Sequence, residues 1–379
     1  REFTRSTKVL WGKVTEADIL DFSKDVNWSS SSADLDVESL WKELHSKLLG
    51  VKGKVPSCHV ESKRSRKVPW DNSCLKRFRR DKDKFWALFD KEPTHYNLNL
   101  ALCKQGKYEE KETLAKIRYE KKITANLKTC TKPFFSYLRS KRKVNTTVTS
   151  LVREDGSETK GAGEAASELS AFFSSVFEQE CYGPLKKECY DKVPGYSEIS
   201  DFTFSLDDVE KLLKGVRVDK SPGPDGLHPK LLKALAEDTT FVEAVFELFC
   251  CCAANKQIPS DWKLANVVAL HKKGPRNDPS KYRPVSLTSI LSKLYQQLVR
   301  KHLLDHVGPL IGSEQHGFCS GRSCTSNLLE SLDCILDMVD EGIPVDILMF
   351  DFRKAFDTVP HHRLLVKLEN FGIVGSTLE

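Results

Sequence analysis

The run of residues that ends at Asp351 constrains the fold more than any other part of this sequence. Residues 345–350 are mostly apolar and of strand length, and the carboxylate of Asp351 follows them directly. Such a run predicts a buried strand, so the acid would lie at the edge of a sheet. A carboxylate held there can bind a hard divalent cation through its oxygens. The alternative is that Asp351 only ends the strand as a turn or cap residue.

Residues 350–357, which surround this acid, resemble motif A of reverse transcriptases, in the form found in non-LTR (LINE-type, jockey-like) retrotransposons. Segments 220–227, 282–287 and 315–323 resemble further motifs of that family and precede motif A in the family's order. One such motif is weak evidence, but chance matches do not keep both order and spacing. The resemblance covers residues 205–379.

The resemblance implies an α+β fold, with a helical N-terminal region followed by the fingers and partial palm of a right-hand polymerase. It implies RNA-directed DNA polymerisation, with an RNA template, a DNA primer, dNTPs and two Mg²⁺ ions in the complete enzyme. Asp351 would be the catalytic metal ligand, and the main-chain carbonyl of Phe352 would contact the second metal ion. Phe356 matches the aromatic residue that excludes a ribose 2′-hydroxyl, although an ordinary core aromatic is the alternative.

Two further segments supply candidate ligands for the triphosphate of a nucleotide. Arg283 precedes a proline that favours an extended backbone, and the family uses this arginine to bind the incoming triphosphate. Residues 265–271 predict a buried strand that runs into a basic turn, where Lys272 or Lys273 would add a second positive charge. The sequence does not decide between these lysines, and a lysine at a strand end is usually a solvated surface charge.

The loop 317–323 lies against template and primer in the family. Arg322 is the candidate there for a contact with a backbone phosphate, and an ion pair within the protein is the equal alternative. Asp225 and Ser323 are predicted to cap the helices that follow them, and Ser205 with Asp208 predicts a capping box.

The N-terminal part of the chain is basic. Residues 1–150 hold 33 Lys and Arg against 19 Asp and Glu, whereas the whole chain has a net charge of only +6. Basic groups at 63–67 and 76–84 alternate with aromatic residues, which suits contact with nucleic acid. Arg77, Arg79 and Arg80 are the candidates for contact with the RNA or DNA backbone. The alternative is an amphipathic helix whose charges are only solvated.

We expect three regions: 1–144, a basic helical region comprising a post-endonuclease linker and N-terminal extension; 145–204, a hairpin, helix and linker; and 205–379, incomplete fingers and palm. The family's paired aspartates and thumb do not follow motif A in this sequence, so we expect an incomplete fragment, truncated after motif A, that does not extend a primer alone. Two alternatives stay open: a non-enzymatic remnant that binds RNA or DNA, and a folded remnant without a partner.

Cellular location and cysteine chemistry are only coarsely predicted. No apolar run approaches the about 20 residues that cross a bilayer, and no signal peptide is evident, so we expect an intracellular protein of nucleus or cytoplasm without membrane contact. The 12 cysteines show no Cys-x-x-Cys pair, which disfavours zinc. The oligomeric state is not predicted.

Overall fold

The computed structural model describes residues 6–30, 36–60, 68–127, 131–141, 150–153, 155–177, 198–352 and 354–378. The basic group 63–67 and most of the linker expected before residue 204 lie outside these ranges. The chain divides into two compact units, of which the first comprises Arg1–Val9 and Ser57–Thr147. The second comprises Leu10–Pro56 and Val148–Glu379.

The described elements, in chain order, are mostly helices. The helices are α1 (Glu16–Ser23), α2 (Val37–Lys54), α3 (Ser73–Lys91), α4 (His95–Ala125), α5 (Lys132–Lys141), α6 (Ala162–Ser174), α7 (Leu206–Lys214), α8 (Pro229–Leu235), α9 (Thr239–Asn255), α10 (Ile290–Val307), α11 (Cys324–Asp340), α12 (His361–Asn370) and α13 (Gly375–Leu378). The strands are β1 (Ser6–Val9), β2 (Ser57–Val60), β3 (Asn266–His271) and β4 (Tyr282–Leu287). Strands β1 and β2 pair antiparallel, as do β3 and β4.

The first unit is built around a helical hairpin of α3 and α4. Its interface relies on polar and cation–aromatic contacts: the Trp86 indole N–H donates to Gln105 at 3.0 Å, and the Lys104 ammonium lies 5.1 Å from the centre of the Phe85 ring. Among the described residues of α3, only Leu75 is fully buried. The aromatic residues of α3 therefore pack against α4 as half-buried side chains, with charged side chains around them.

An aromatic cluster joins the end of α4 to α5. Trp70, Tyr119 and Tyr137 lie with ring centres 5.7–6.2 Å apart. The Tyr137 hydroxyl donates a hydrogen bond to the Glu120 carboxylate. Burial, together with that hydrogen bond, raises the pKa of Tyr137 to about 12.

The core of the second unit is helical and aromatic. Trp41 of α2 is fully buried, stacks on His45 and packs edge-on against Trp262. Its indole N–H donates to the Asp261 carboxylate at 2.9 Å, which satisfies a polar group inside an apolar core. Phe249 of α9 contacts Trp262 from another side. Helix α2 is thus part of this core, although more than 200 residues separate Trp41 from Asp261.

This grouping differs from the three regions expected from the sequence, because α1 and α2 pack in the second unit rather than with the basic helices. The amphipathic pattern of α2 shows that one face is apolar, but it does not reveal which helix covers that face. The boundaries at 144 and 204 stay predictions.

A small apolar cluster attaches α6 to the strand hairpin β3–β4. Leu151, Ala165, Leu169 and Tyr282 form this cluster, and Phe173 packs against it. The predicted hairpin near residue 155 is present as a tight turn, in which Val152 bridges Glu158. Arg153 ties this turn to α6 through the carboxylate of Glu164 at 2.7 Å.

Two expectations about strands are wrong in part. Strand β3 forms where it was predicted, but it is not buried: Val267 and Leu270 are more than half exposed, because a two-stranded sheet leaves most of one face uncovered. Residues 345–351 form no strand, since no described strand pairs with them. Met349 is 91% exposed. Helix α11, just before this segment, has no buried residue in the described part of the chain.

The predicted capping box of α7 is confirmed. The Ser205 hydroxyl and amide donate to the Asp208 carboxylate at 2.7 and 3.1 Å, and Lys301 donates to its other oxygen at 3.1 Å. Ser323 is likewise the N-cap of α11. The prediction for Asp225 is wrong, because the His228 ring nitrogen accepts from Lys230 and caps α8.

We expect stability to fall between about pH 4 and pH 2 through Asp208. The Ser205 hydrogen bonds and Lys301 lower its pKa from 3.8 to about 2. A carboxyl group whose pKa is lower in the folded state than in the unfolded state stabilises the fold at pH values above its unfolded pKa. This stabilisation is lost as the pH falls through the folded-state pKa. The loss should be about 1 kcal/mol, the usual contribution of such a cap. Chemical denaturation measures the free energy of unfolding across this pH range. This free energy should decline less steeply for Asp208→Asn than for the parent chain, and an identical decline in both would contradict the assignment.

Candidate active site

A single cavity of about 660 Å³ in the second unit borders five of the residues predicted to form the site. They are Lys272, Arg283, Asp351, Phe352 and Phe356. The residues come from two places in the sequence, the β3–β4 hairpin and the segment that follows residue 350. Within the described part of the chain, no ion pair or hydrogen bond engages the side chains of Lys272, Arg283 or Asp351. The cavity therefore carries cations and an acid that are available to a ligand.

Of the two candidate lysines at the end of β3, Lys272 lines the cavity and Lys273 does not. Arg283 lies opposite Leu270, and the Lys272 amide continues the ladder by donating to the Lys281 carbonyl at 2.9 Å. Opposite residues of an antiparallel pair share a face, and alternate residues along a strand do so too. Lys272, Lys281 and Arg283 therefore lie on one face. Lys273 lies in the bend beyond this ladder.

Tyr282 holds this hairpin in place from its other face. The residue is 7% exposed, and its hydroxyl donates to the Arg276 carbonyl at 2.6 Å. Burial raises the pKa of this phenol, so the group remains a neutral donor at physiological pH. Strand alternation then turns the neighbouring Arg283 outward, where it is exposed.

Asp351 is followed by a tight turn. The carbonyl of Lys354 accepts from the amides of Asp357 and Thr358 at 2.8 and 3.2 Å, and Lys354 itself has a φ of 52°. The Lys354 ammonium lies 4.4 Å from the centre of the Phe172 ring. This cation–π contact links the turn to α6. Asp351 is exposed, which leaves its carboxylate accessible to solvent cations.

The aromatic residues beyond Asp351 are also exposed. Phe356 is 82% exposed, and its ring packs edge-on against Phe318 at 6.0 Å between centres. This placement does not support the alternative in which Phe356 is a core aromatic. Phe318 has a φ of 64°, so an uncommon backbone conformation presents its ring.

Two side chains fix the loop that carries Phe318. The Arg322 guanidinium donates to the main-chain carbonyls of Gly312, Ser313 and Gln315. His316 is 8% exposed and lies between the Ser326 hydroxyl at 3.0 Å and the Glu330 carboxylate at 2.9 Å. Arg322 forms no ion pair within the described ranges, and its role toward a phosphate stays a prediction.

The three arginines predicted to bind nucleic acid lie on α3 of the first unit. Arg79 pairs with Asp71 at 3.1 Å and donates to the Tyr108 hydroxyl at 3.4 Å, so it supports the helical hairpin. Arg77 and Arg80 are exposed. These two side chains are therefore better placed than Arg79 for contact with a phosphate backbone.

The donor set at Asp351 is compatible with part of a Mg²⁺ site. One carboxylate and the Phe352 carbonyl are oxygen ligands of the kind that Mg²⁺ prefers, and Mg²⁺ commonly takes its other ligands from phosphate and water. Among the described residues, no group of three His, Cys, Asp or Glu side chains could hold a metal ion. The second ion of a two-metal site would need ligands beyond this set.

Most residues that line the cavity were not predicted from the sequence, and Lys281 and Phe172 are two of them. Lys281 has a weak signal, since it is a basic residue two positions before Arg283 in the sequence. Phe172 has none, because α6 reaches the cavity through packing against strands more than 100 residues away.

Separately, no helix in the described ranges is long and apolar enough to span a membrane.

Comparison with known proteins shows which protein family this chain is similar to. Residues 270–378 match the model of the reverse transcriptase (RNA-dependent DNA polymerase) family. The chain is 30% identical over 186 residues to a probable RNA-directed DNA polymerase from transposon BS of Drosophila melanogaster, covering 46% of this chain and 20% of that protein. It is 29% identical over 171 residues to the corresponding protein of transposon X-element from the same organism, covering 42% and 18%.

A third relative is similar over a larger share of this chain. A 149 kDa protein of transposon TX1 from Xenopus laevis is 26% identical over 248 residues, which cover 63% of this chain and 18% of that protein. The matches thus span about a fifth of the length of these relatives.

Proposed function

We propose that this chain, whose residues 270–378 match the reverse transcriptase family, provides nucleotide- and metal-binding parts of an RNA-directed DNA polymerase of the non-LTR retrotransposon type. The substrates are dNTPs, with an RNA template and a DNA primer. The observation that carries the proposal is the shared cavity, to which two distant motifs contribute Arg283 and Asp351. A remnant that only binds nucleic acid would not need cations and an acid around one cavity.

Each cavity residue has a separate task in this proposal. Arg283 and Lys272 bind phosphate oxygens, the arginine through its two parallel N–H groups. Asp351 and the Phe352 carbonyl hold Mg²⁺, which neutralises charge on the phosphates as the new bond forms. Phe356 excludes a 2′-hydroxyl by occupying its space, so the preference for deoxyribose follows from a clash rather than from an attraction. The fingers and palm of a right-hand polymerase are the proposed setting.

The first test measures nucleotide binding. We expect Arg283→Gln to weaken binding of Mg²⁺–dATP by about tenfold, because it removes a charge-assisted hydrogen bond. Isothermal titration calorimetry on the full chain measures this change. Lys273→Gln is the matched control, since that lysine is adjacent in sequence to Lys272 but lies away from the cavity. Equal losses from both substitutions would show that only general charge is at work and would contradict the site.

A second test concerns the basic first unit, for which we propose contact with the RNA backbone. Affinity for RNA should fall with salt, and replacing Arg77 and Arg80 by Gln should reduce the slope of log K against log salt by about one per residue. Arg79→Gln should instead destabilise the α3–α4 hairpin, because this arginine pairs with Asp71. Filter binding at several salt concentrations gives the slopes, and an unchanged slope in the double variant would mean that the charges are only solvated.

A further inference from the structure

The apolar part of the cavity lining comes mainly from α6. Phe172, Phe173 and Val176 line the same cavity as Arg283 and Asp351. Of the two phenylalanines, Phe173 packs against the cluster around Tyr282, which anchors α6 to the strand hairpin. Phe172 lies beside it with ring centres 6.1 Å apart and remains partly exposed. The packing of Phe173 thus holds the helix that carries Phe172 against the strand hairpin.

One face of the Phe172 ring contacts the side chain of Lys354. The Lys354 ammonium lies over this ring at 4.4 Å, and both residues line the cavity. This face of the ring is therefore covered by the end of a long, flexible side chain. The cations of the hairpin, Lys272 and Arg283, border the same cavity.

From this arrangement we propose that Phe172 is a stacking surface for the base of the bound nucleotide, while Lys272 and Arg283 hold its phosphates. An aromatic ring without polar atoms accepts every base, because each base has a π-face. A base that stacks there displaces the Lys354 ammonium from the ring. The ammonium then pairs with phosphate, where a charge-assisted hydrogen bond is stronger than a cation–π contact at an exposed site. This inference rests on the proposed function and adds a residue of α6 to it.

The experiment separates the base from the phosphates by using two probes. Titration calorimetry on the full chain with Mg²⁺ present compares dATP with inorganic tripolyphosphate, which has no base. We expect dATP to bind the parent chain more tightly than tripolyphosphate. Phe172→Leu should weaken the binding of dATP by about tenfold, since stacking is lost while an apolar side chain remains. The affinity of the Phe172→Leu variant for tripolyphosphate should equal that of the parent chain. Phe172→Trp, which keeps an aromatic ring, should bind dATP about as tightly as the parent chain.

Phe177→Ala is the matched control. This residue follows α6, is 60% exposed and does not line the cavity, so its substitution should change neither affinity. Thermal unfolding followed by circular dichroism verifies that each variant is folded. Because Phe172 is only partly buried, Leu at this position should be tolerated.

The outcomes distinguish this inference from the proposed function. Equal weakening of dATP and tripolyphosphate by Phe172→Leu would show that the ring only supports the cavity, which would overturn the inference. Tripolyphosphate binding without any gain from the base would also overturn it, while the phosphate site would stand. Failure of the parent chain to bind either probe would overturn the proposed function together with the inference.

Discussion

Trp41→Ala is expected to lower the free energy of unfolding of the second unit by about 3–5 kcal/mol, the usual cost of removing a large buried aromatic side chain. Trp41 is fully buried between His45 and Trp262, and its N–H satisfies the Asp261 carboxylate. The substitution would open a cavity and leave that carboxylate without this donor. Urea denaturation followed by circular dichroism measures the loss.

Trp41→Phe serves as the control, because it keeps an aromatic ring and removes the N–H donor. We expect a loss of about 1–2 kcal/mol for it. If Trp41→Ala cost less than this, α2 would not belong to the core that contains Trp262 and Phe249. Removal of residues 10–56 should likewise unfold the part of the chain that bears the cavity, even though no residue of that segment lines it.

Gly223→Ala is expected to destabilise the second unit by about 3 kcal/mol, the upper part of the range for overpacking. A Cβ atom at this position would lie 2.5 Å from the Thr288 carbonyl oxygen and 2.6 Å from the Ser289 nitrogen. Both are main-chain atoms at the start of α10, so neither can rotate away as a side chain would. Only glycine permits the loop 220–227 to approach this backbone so closely.

Gly50→Ala tests whether the effect is specific. Gly50 lies within α2 of the same unit, and a Cβ atom there would meet nothing within 4 Å. Alanine should stabilise that helix by about 0.5–1 kcal/mol relative to glycine. The two substitutions thus have opposite expected signs in one denaturation assay. A neutral Gly223→Ala would show that the loop and α10 separate without cost.

Local features of this fold could be predicted from the sequence because their causes are local. The capping box of Ser205 and Asp208 depends on residues three positions apart, and the cap at Ser323 is equally short in range. The β3 and β4 strands follow from β-branched residues and a proline that favours extended backbone. The shared position of Arg283, Asp351 and Phe356 around one cavity was expected from the family resemblance. Their roles stay predictions.

Features that depend on distant partners could not be predicted. An apolar run such as 345–350 becomes a strand only when another strand offers hydrogen bonds, and its sequence carries no information about that partner. The burial of β3 failed as an expectation for the same reason. The choice between Lys272 and Lys273 needed the position of the cavity, which only Lys272 of the two lines. The place of Phe172 needed the packing of α6 on Tyr282.

Helices α11 and α9 should differ in how fast their backbone hydrogen bonds open to solvent. Its 17 residues contribute nothing to a core in the described part of the chain, whereas α9 buries seven of its residues. What defines α11 is its two ends: the Ser323 box at the start, and at the finish Gly342, where the amides of Gly342 and Ile343 return to Val339 and Met338. An isolated helix of this length is only marginally stable in water. Its amide hydrogens should therefore exchange with solvent through local fraying, on a much shorter timescale than those of α9, which need the whole unit to open.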